Sequence, residues 1–269
     1  MIGIDVSHWQ ETIDWACAAP NIGFAILKCS QGTTIADFYY ARNKAECLIN
    51  GVAHGAYHWL EPDIDGQAQA NYFYEKGNDP DMAVWVLDVE EAGAGLMINL
   101  EKAVKRLREL TGHQPIIYTS AGFWNYNTLT TPDWAAACPL WVANYTTAAA
   151  PLMPRGWTSW RIWQYTDRGT VPGIAGGVDC NRFNGTDAEA LAFFGNGDEF
   201  AQPIVSSRVK TLVAVNIRSA PIVSTTTLLG YSYAGKVWEV MARVKDADGR
   251  EWCQVGPAAF IAGWLTVPV

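Results

Sequence analysis

Eight short runs rich in apolar and β-branched residues punctuate the chain up to residue 183, at 2–6, 24–28, 52–59, 84–89, 115–119, 140–145, 161–165 and 177–183. Helical patterning fills the gaps between the earlier ones. Asp37 can cap a helix that runs to Gly51, and residues 66–76 read as a second. Asn99 can cap a third over 100–110, where Leu100, Val104, Leu107 and Leu110 share a face and Gly112 stops the run. Strands apolar on both faces need cover on both, and β/α alternation supplies it, so a mainly parallel sheet is expected. Eight such strands suggest closure into a barrel. Pro151, Pro154 and Gly156 break one later connection and Pro172 with Gly173 another, leaving no room for a good helix in either. The fold class expected is therefore α/β: a TIM-like barrel whose helical ring is incomplete in its second half.

Thr186 and Glu189 form a capping-box pattern that opens a last helix halting near Gly195. Residues 197–207 then read as a linker. Past it, 209–217, 236–244 and 251–255 read as short strands, with Asp246-Ala247-Asp248-Gly249 as a turn. The division expected is a barrel domain over 1–196, the linker, and a small all-β domain over 208–269. Charge divides in the same place: residues 1–206 hold 12 Lys/Arg against 23 Asp/Glu, and 207–269 hold 7 against 4. An acidic larger part argues against nucleic acid as a partner, while the mildly basic tail suits an anionic polymer.

No run approaches the roughly 18 apolar residues of a membrane span, and Met1-Ile2-Gly3-Ile4 lacks the basic and apolar regions of a signal peptide. Synthesis in the cytoplasm without membrane insertion is the expectation. The six cysteines show no CxxC spacing, so free buried thiols are expected rather than a zinc site or a disulfide framework. Ten of the thirteen tryptophans precede residue 200. Aromatic faces stack on sugars and also fill cores, so the count alone supports carbohydrate binding weakly.

The segment with most chemical content is Val84-Trp85-Val86-Leu87-Asp88-Val89-Glu90-Glu91, an apolar strand ending abruptly in acids. Side chains two apart on a strand face the same way, so Asp88 and Glu90 would both project into a barrel mouth, roughly 6.6 Å apart along the strand. Barrel enzymes place reactive groups at such strand ends. Two close carboxylates repel; one is held protonated as a general acid while the other stays ionised. Asp5 and Asp179 fall at two further strand ends, where isolated burial of an acid would be costly.

With these motifs in hand, residues 1 to about 195 resemble the lysozymes of glycoside hydrolase family 25. The resemblance runs through Gly3-Ile4-Asp5-Val6-Ser7 with Gln10, the run from Gly51 to Trp59, Leu87-Asp88-Val89-Glu90, Ile117-Tyr118-Thr119, Leu140-Trp141-Val142-Ala143 with Tyr145, Trp163-Gln164-Tyr165, and Val178-Asp179. It implies cleavage of the β-1,4 bond between N-acetylmuramic acid and N-acetylglucosamine in bacterial peptidoglycan, with retention and without a cofactor, in a TIM-like barrel with helices mainly after the first five strands. It also implies Glu90 as acid/base and Asp88 as the group that steadies the charge developing when the substrate's own 2-acetamido group attacks. Asp5 and Asp179 would orient water and hydroxyls or tune Glu90. Tyr57, Tyr118, Trp141, Tyr145 and Gln164 would stack on or hydrogen-bond the sugars. Cys29-Ser30-Gln31-Gly32 departs from the Ala-Thr-Glu-Gly of many relatives.

The tail resembles bacterial SH3-like wall-binding domains, through Val215-Asn216-Ile217-Arg218-Ser219-Ala220-Pro221, Lys236-Val237-Trp238, Trp252-Cys253-Gln254-Val255 and Ala262-Gly263-Trp264-Leu265. A muramidase with such a tail looks like a phage or prophage endolysin, released to the wall by a partner holin. Two rival functions stand beside it: an inactive carbohydrate-binding barrel, which would keep the aromatics but need not keep Glu90 and which the acids argue against, and a metal-dependent polysaccharide deacetylase with Asp and His ligands. His54 and His58 invite the metal reading, but a spacing of four converges on a metal on a helix rather than on a strand. No G-x-S-x-G elbow supports a serine hydrolase.

Overall fold

β1 (Ile2–Val6), β2 (Phe24–Gln31), β3 (Ile35–Ala36), β4 (Ala53–Trp59), β5 (Trp85–Asp88), β6 (Ile116–Ser120), β7 (Leu140–Ala143), β8 (Ile162–Gly169) and β9 (Val178–Phe183) form one sheet in the computed structural model. Residues 1–79, 82–195, 207–240, 242–256 and 258–268 are described. Because β1 pairs with both β2 and β9, the sheet closes into an eight-strand barrel, and β3 hangs on β2 as a short hairpin. Each expected run overlaps one barrel strand, and β2 and β8 extend three and four residues past theirs.

The barrel pairs are parallel from β1 round to β8, whereas β9 is antiparallel to both of its neighbours. The connection explains this reversal. Parallel neighbours need a crossover of about a dozen residues or more, and the stretch 170–177 is too short to provide one. The chain turns straight back, which brings the start of β9, and Asp179 with it, to the rim where the parallel strands end.

Helices follow the first five barrel strands: α1 (Trp15–Ala18), α2 (Tyr40–Asn50), α3 (Gly66–Gly77), α4 (Leu96–Thr111), then α5 (Ala121–Asn127) with α6 (Asp133–Ala136). The connections 144–161 and 170–177, described throughout, contain no helix. A last helix, α7 (Asp187–Phe193), carries the expected Thr186–Glu189 capping box. The Asn99 cap is a correction, since α4 begins at Leu96, a turn earlier. Asn99 instead serves its neighbour: its Oδ1 accepts from the Gly66 N–H at the start of α3 at 3.2 Å, and its Nδ2 donates to the Pro62 carbonyl at 2.8 Å. The two helices meet closely there, because a Cβ on Gly66 would lie 1.7 Å from the Asn99 carbonyl oxygen.

Period-two alternation sorts each strand into an inner and an outer face. Phe24, Ile26, Val86, Ile116, Tyr118, Trp141, Ile162 and Phe183 share one buried core, closed below by Ala190 and Phe194 at the α7 end. Gly3 is glycine because Phe24 fills the space a side chain would need; a Cβ there would lie 2.4 Å from the ring. Two residues further along the same inner faces stand Asp5, Lys28, Asp88 and Gln164. The core therefore ends in a polar rim.

The chain divides into two units, Met1–Tyr40 with Ala53–Gly197, and Ala41–Val52 with Asp198–Val269. The second contains β10 (Ser207–Thr211), β11 (Val215–Arg218), β12 (Leu228–Ser232), β13 (Val237–Val240), β14 (Ala242–Lys245), β15 (Glu251–Gly256), β16 (Ala259–Ala262) and β17 (Thr266–Pro268). These make a three-stranded and a five-stranded sheet over a core that includes Val209, Ile217, Trp238, Val240, Cys253 and Ile261. The expected strand 209–217 is two strands, since the chain bends after Thr211, whose hydroxyl donates to the Tyr233 carbonyl at 2.8 Å. The expected turn at Asp246 is present, the Gly249 N–H donating to the Asp246 carbonyl at 2.9 Å. Of the expected linker, 197–206 lie outside the described residues.

All six thiols are free, and five are buried; Cys17 is exposed, which corrects the expectation of burial throughout. Among the described residues no helix is long and apolar enough to cross a membrane.

Candidate active site

Asp5 stands one residue before the end of β1, Asp88 closes β5, Glu90 follows two residues on, and Asp179, second in β9, is the register partner of Asp5. Asp5 and Asp88 are buried, Asp179 is half-buried and Glu90 is open to solvent. Burial first, then the neighbouring Asp179, pushes the Asp5 carboxyl up to about 8, against the pull of its Asn181 and Gln164 hydrogen bonds. Asp88 is raised well above the carboxylate range by burial and then by Glu90, while Lys28 pulls it down. Loss of hydration also raises Glu90 in spite of its opening to solvent, with Lys28 opposing and Asp179 adding to the rise. Asp179 is pushed up to about 6 by burial and by Asp167. Glu90 acts on Asp88, and Lys28 opposes the rise of both.

One atom in this cluster stands apart. Asp88 Oδ1 is buried and has no hydrogen-bond partner among the described residues. Such an oxygen is expensive to leave unpaired, and it favours the protonated acid until a donor arrives. The sequence places the lasting charge on Asp88, whereas the environment pushes Asp88 up further than Glu90. An N–H presented to Asp88 would favour its charged form.

Gln164 organises the opposite wall. Its Oε1 accepts from the hydroxyls of Tyr118 and Tyr145, each at 2.9 Å, and its Nε2 donates to Asp5 Oδ2 at 3.0 Å. Asn181 Nδ2 donates to the same Asp5 oxygen at 2.7 Å, and Asn181 Oδ1 accepts from the Trp141 indole at 2.8 Å. Tyr57 stands edge-on to Trp141, with ring centroids 6.4 Å apart. Of the five expected sugar-binding residues, Tyr145 is exposed and Tyr57 is half-buried. Tyr118, Trp141 and Gln164 are buried at 8%, 2% and 3% exposure, so in this structure they support the groove from beneath.

Two members of the site escaped the sequence reading. Asn181 lies two residues beyond Asp179 on the inner face of β9, a spacing that could have found it. Lys28 lies two beyond Ile26 on β2, its Nζ 5.2 Å from the centre of the Trp59 ring and 5.9 Å from that of Tyr57. A bulge between Lys28 and Ser30 shifts the register against Tyr57 and His58. Bulges re-aim side chains beside active sites, and no alternation pattern foretells one.

His58 is fully buried, its Nδ1 2.8 Å from the Ser30 hydroxyl and its Nε2 3.3 Å from Gln69 Oε1. Gln69 Nε2 in turn donates to the carbonyls of Glu61 and Ile64 at 2.8 and 2.9 Å, holding the loop after β4. Gln31, the residue at the unusual Cys29–Gly32 segment, donates to Glu61 Oε1 at 3.2 Å. His54 approaches Asp79 at 3.8 Å. Among the described residues no group of three or more His, Cys, Asp or Glu is placed to hold a metal ion.

Burial holds the His58 imidazole down at about 4 against an ordinary value of 6.5, so it is neutral in the fold. Its contribution to stability is complete above pH 6.5 and is lost as pH falls from there toward 4, because the unfolded chain takes up the proton first. That loss should amount to roughly 3 kcal/mol. Denaturation midpoints between pH 7 and 4, together with an NMR titration of the imidazole, check this; titration near 6.5 in the folded protein would contradict it.

Residues 4–174 match the family described as Glycosyl hydrolases family 25. Lysozyme M1 of Streptomyces globisporus is 35% identical over 210 residues, covering 72% of this chain and 71% of its own. The N,O-diacetylmuramidase of Arthroderma benhamiae is 31% identical over 182 residues, covering 61% and 76%. The crystal structure of a bacterial lysozyme from Streptomyces coelicolor superposes with a TM-score of 0.68 at 34% identity, over 73% of this chain and 98% of that one.

Proposed function

The chain belongs to family 25 of the glycosyl hydrolases and is a glycoside hydrolase, and from that premise we propose that it is a muramidase whose four rim acids cut peptidoglycan glycan strands. The bond is the β-1,4 link from N-acetylmuramic acid to N-acetylglucosamine. The observation that carries this reading is the contrast between Asp88, enclosed with one oxygen unpartnered, and Glu90, open to solvent two residues on. The first is prepared for a buried N–H from the substrate. The second can reach a bond between two sugars.

In the proposed reaction the 2-acetamido N–H of the muramic sugar donates to Asp88, which then carries the negative charge and leaves Glu90 protonated. The acetamido carbonyl oxygen attacks the anomeric carbon as the bond to the leaving oxygen breaks, and Glu90 gives that oxygen its proton. Asp88 balances the positive charge on the resulting five-membered ring. Glu90, now a carboxylate, takes a proton from water as that water opens the ring on the face the leaving sugar vacated. Two displacements give net retention. Asp5, fixed by Gln164 and Asn181, and Asp179 set the field around Glu90 and orient hydroxyls.

The second part of the proposal concerns the tail. Residues 208–269, basic where the rest is acidic, are read as an SH3-like wall-binding module attached to a catalytic domain at 1–196, and the whole as a bacteriolytic endolysin that reaches the wall after release by a holin. Tyr231 and Tyr233, exposed at 65% and 72%, support this reading as side chains free to stack on a sugar.

Digestion of purified peptidoglycan, borohydride reduction of new ends and mass spectrometry test the activity. Reduced muramic acid is the expected product, and its yield should survive EDTA. Reduced glucosamine, or released acetate without new reducing ends, would reject the reading.

A further inference from the structure

Trp9 is 79% exposed and Phe38 is 75% exposed, whereas Trp15, Trp85, Trp124, Trp141, Trp163 and Trp252 are fully buried. Apolar area of this size is normally withdrawn from water, so two large aromatics left open around His8 call for a partner. Their rings belong to one surface. His8 stands 4.8 Å from Trp9 and 5.7 Å from Phe38, and Phe38 stands 4.8 Å from Tyr39.

The surface is held rigid by buried polar groups. Asp37, 8% exposed, binds both of the segments that contribute to it: its Oδ2 accepts from the His8 backbone N–H at 3.0 Å and lies 2.8 Å from the His8 ring, and its Oδ1 accepts from the Tyr39 N–H at 3.0 Å. Ser7 Oγ accepts from the Trp9 N–H at 3.2 Å, and Gln10 Oε1 accepts from the Ser7 N–H at 2.9 Å. Glu11 closes the turn with φ at 49°, a left-handed backbone that a non-glycine residue adopts only when its surroundings impose it.

This platform adjoins the acids. Trp9 follows Asp5 by four residues, which limits their Cα separation to about 14 Å. Asp37 also acts on the Tyr57 hydroxyl together with Asp5, Asp88 and Asp179. Charge narrows the choice of occupant, because residues 1–206 carry 12 Lys/Arg against 23 Asp/Glu. Carboxylates of a stem peptide would be repelled, and the uncharged face of a sugar would not.

We infer that Trp9 and Phe38 form a distal subsite that stacks on a sugar ring of the glycan strand, beyond the pair of sugars flanking the bond that is cut. This rests on the muramidase reading and adds a length preference to it: long strands engage the platform and the shortest cleavable oligosaccharides do not.

The experiment compares Trp9→Ala, Phe38→Ala and Trp9→Phe with wild type on two substrates, the shortest oligosaccharide cleaved and long glycan strands freed of stem peptides. Both alanine variants should raise KM about tenfold on long strands with kcat and melting temperature unchanged, and should leave the short substrate unaffected. Trp9→Phe should recover most of the loss. Equal KM on long strands, an equal loss on both substrates, or a loss seen only when stem peptides are present would each overturn the inference. Wild-type inactivity on both substrates would defeat the muramidase reading itself, and the subsite with it.

Discussion

Glu90→Gln should reduce turnover of peptidoglycan by about 10²–10⁴-fold while leaving the fold and wall retention intact. The glutamine keeps the shape of the side chain and removes only the proton it gives and takes. Because Glu90 is open to solvent at the rim, the substitution opens no cavity. Steady-state hydrolysis of purified walls, paired with a melting curve, checks both halves. Turnover equal to wild type would remove Glu90 from the chemistry, and a collapse in melting temperature would show that the residue had been structural.

Asp88→Asn should act in opposite directions on activity and stability. Activity should fall by about 10²–10³-fold, since an amide cannot balance the cation formed next to it. Stability should rise by on the order of 1 kcal/mol at neutral pH, because a buried acid with an unpartnered oxygen is exchanged for a neutral group. The sign follows from the raised folded-state value of Asp88. A group of this kind stabilises fully below its unfolded value, near 3.9, and loses that contribution as pH rises through the folded value. The gain of the variant over wild type should therefore grow from acid to alkaline pH. Melting temperatures across pH 4–9 measure it, and a variant less stable than wild type at every pH would refute the description of Asp88 as a strained acid.

Much of this site was legible before any coordinate. Apolar runs with acids at their ends gave Asp5, Asp88, Glu90 and Asp179, because period-two alternation and strand-end position are properties of the sequence. The same rule extended by one more step would have reached Lys28 from Ile26 and Asn181 from Asp179, so those omissions lay in the reading and not in the physics. Other features depended on tertiary context. The Lys28–Ser30 bulge comes from how β2 meets β4. Asn99 resembled the cap of its own helix and caps a neighbour's, because α3 and α4 meet at Gly66. Trp141 was expected at the sugar face and lies under it, since a position's inner parity says which way a side chain points and not how deep it sits. The reversal of β9 is foreshadowed by Pro172 and Gly173 in a connection too short for a crossover as well as for a helix. In the second unit, β12 carries Gly230 and follows a Ser/Thr stretch, so its sequence reads as turn.

The division of labour between Asp88 and Glu90 stands on the sugar's acetamido group acting as the nucleophile. Its most direct test is the rate of wild-type cleavage across oligosaccharides whose reacting acetamido group is replaced by its mono-, di- and trifluoroacetyl analogues. Each fluorine weakens the carbonyl oxygen as a nucleophile, so log kcat should fall steeply and progressively along the series. A rate that stays level as fluorines are added would contradict participation by the acetamido group and, with it, the role assigned to Asp88.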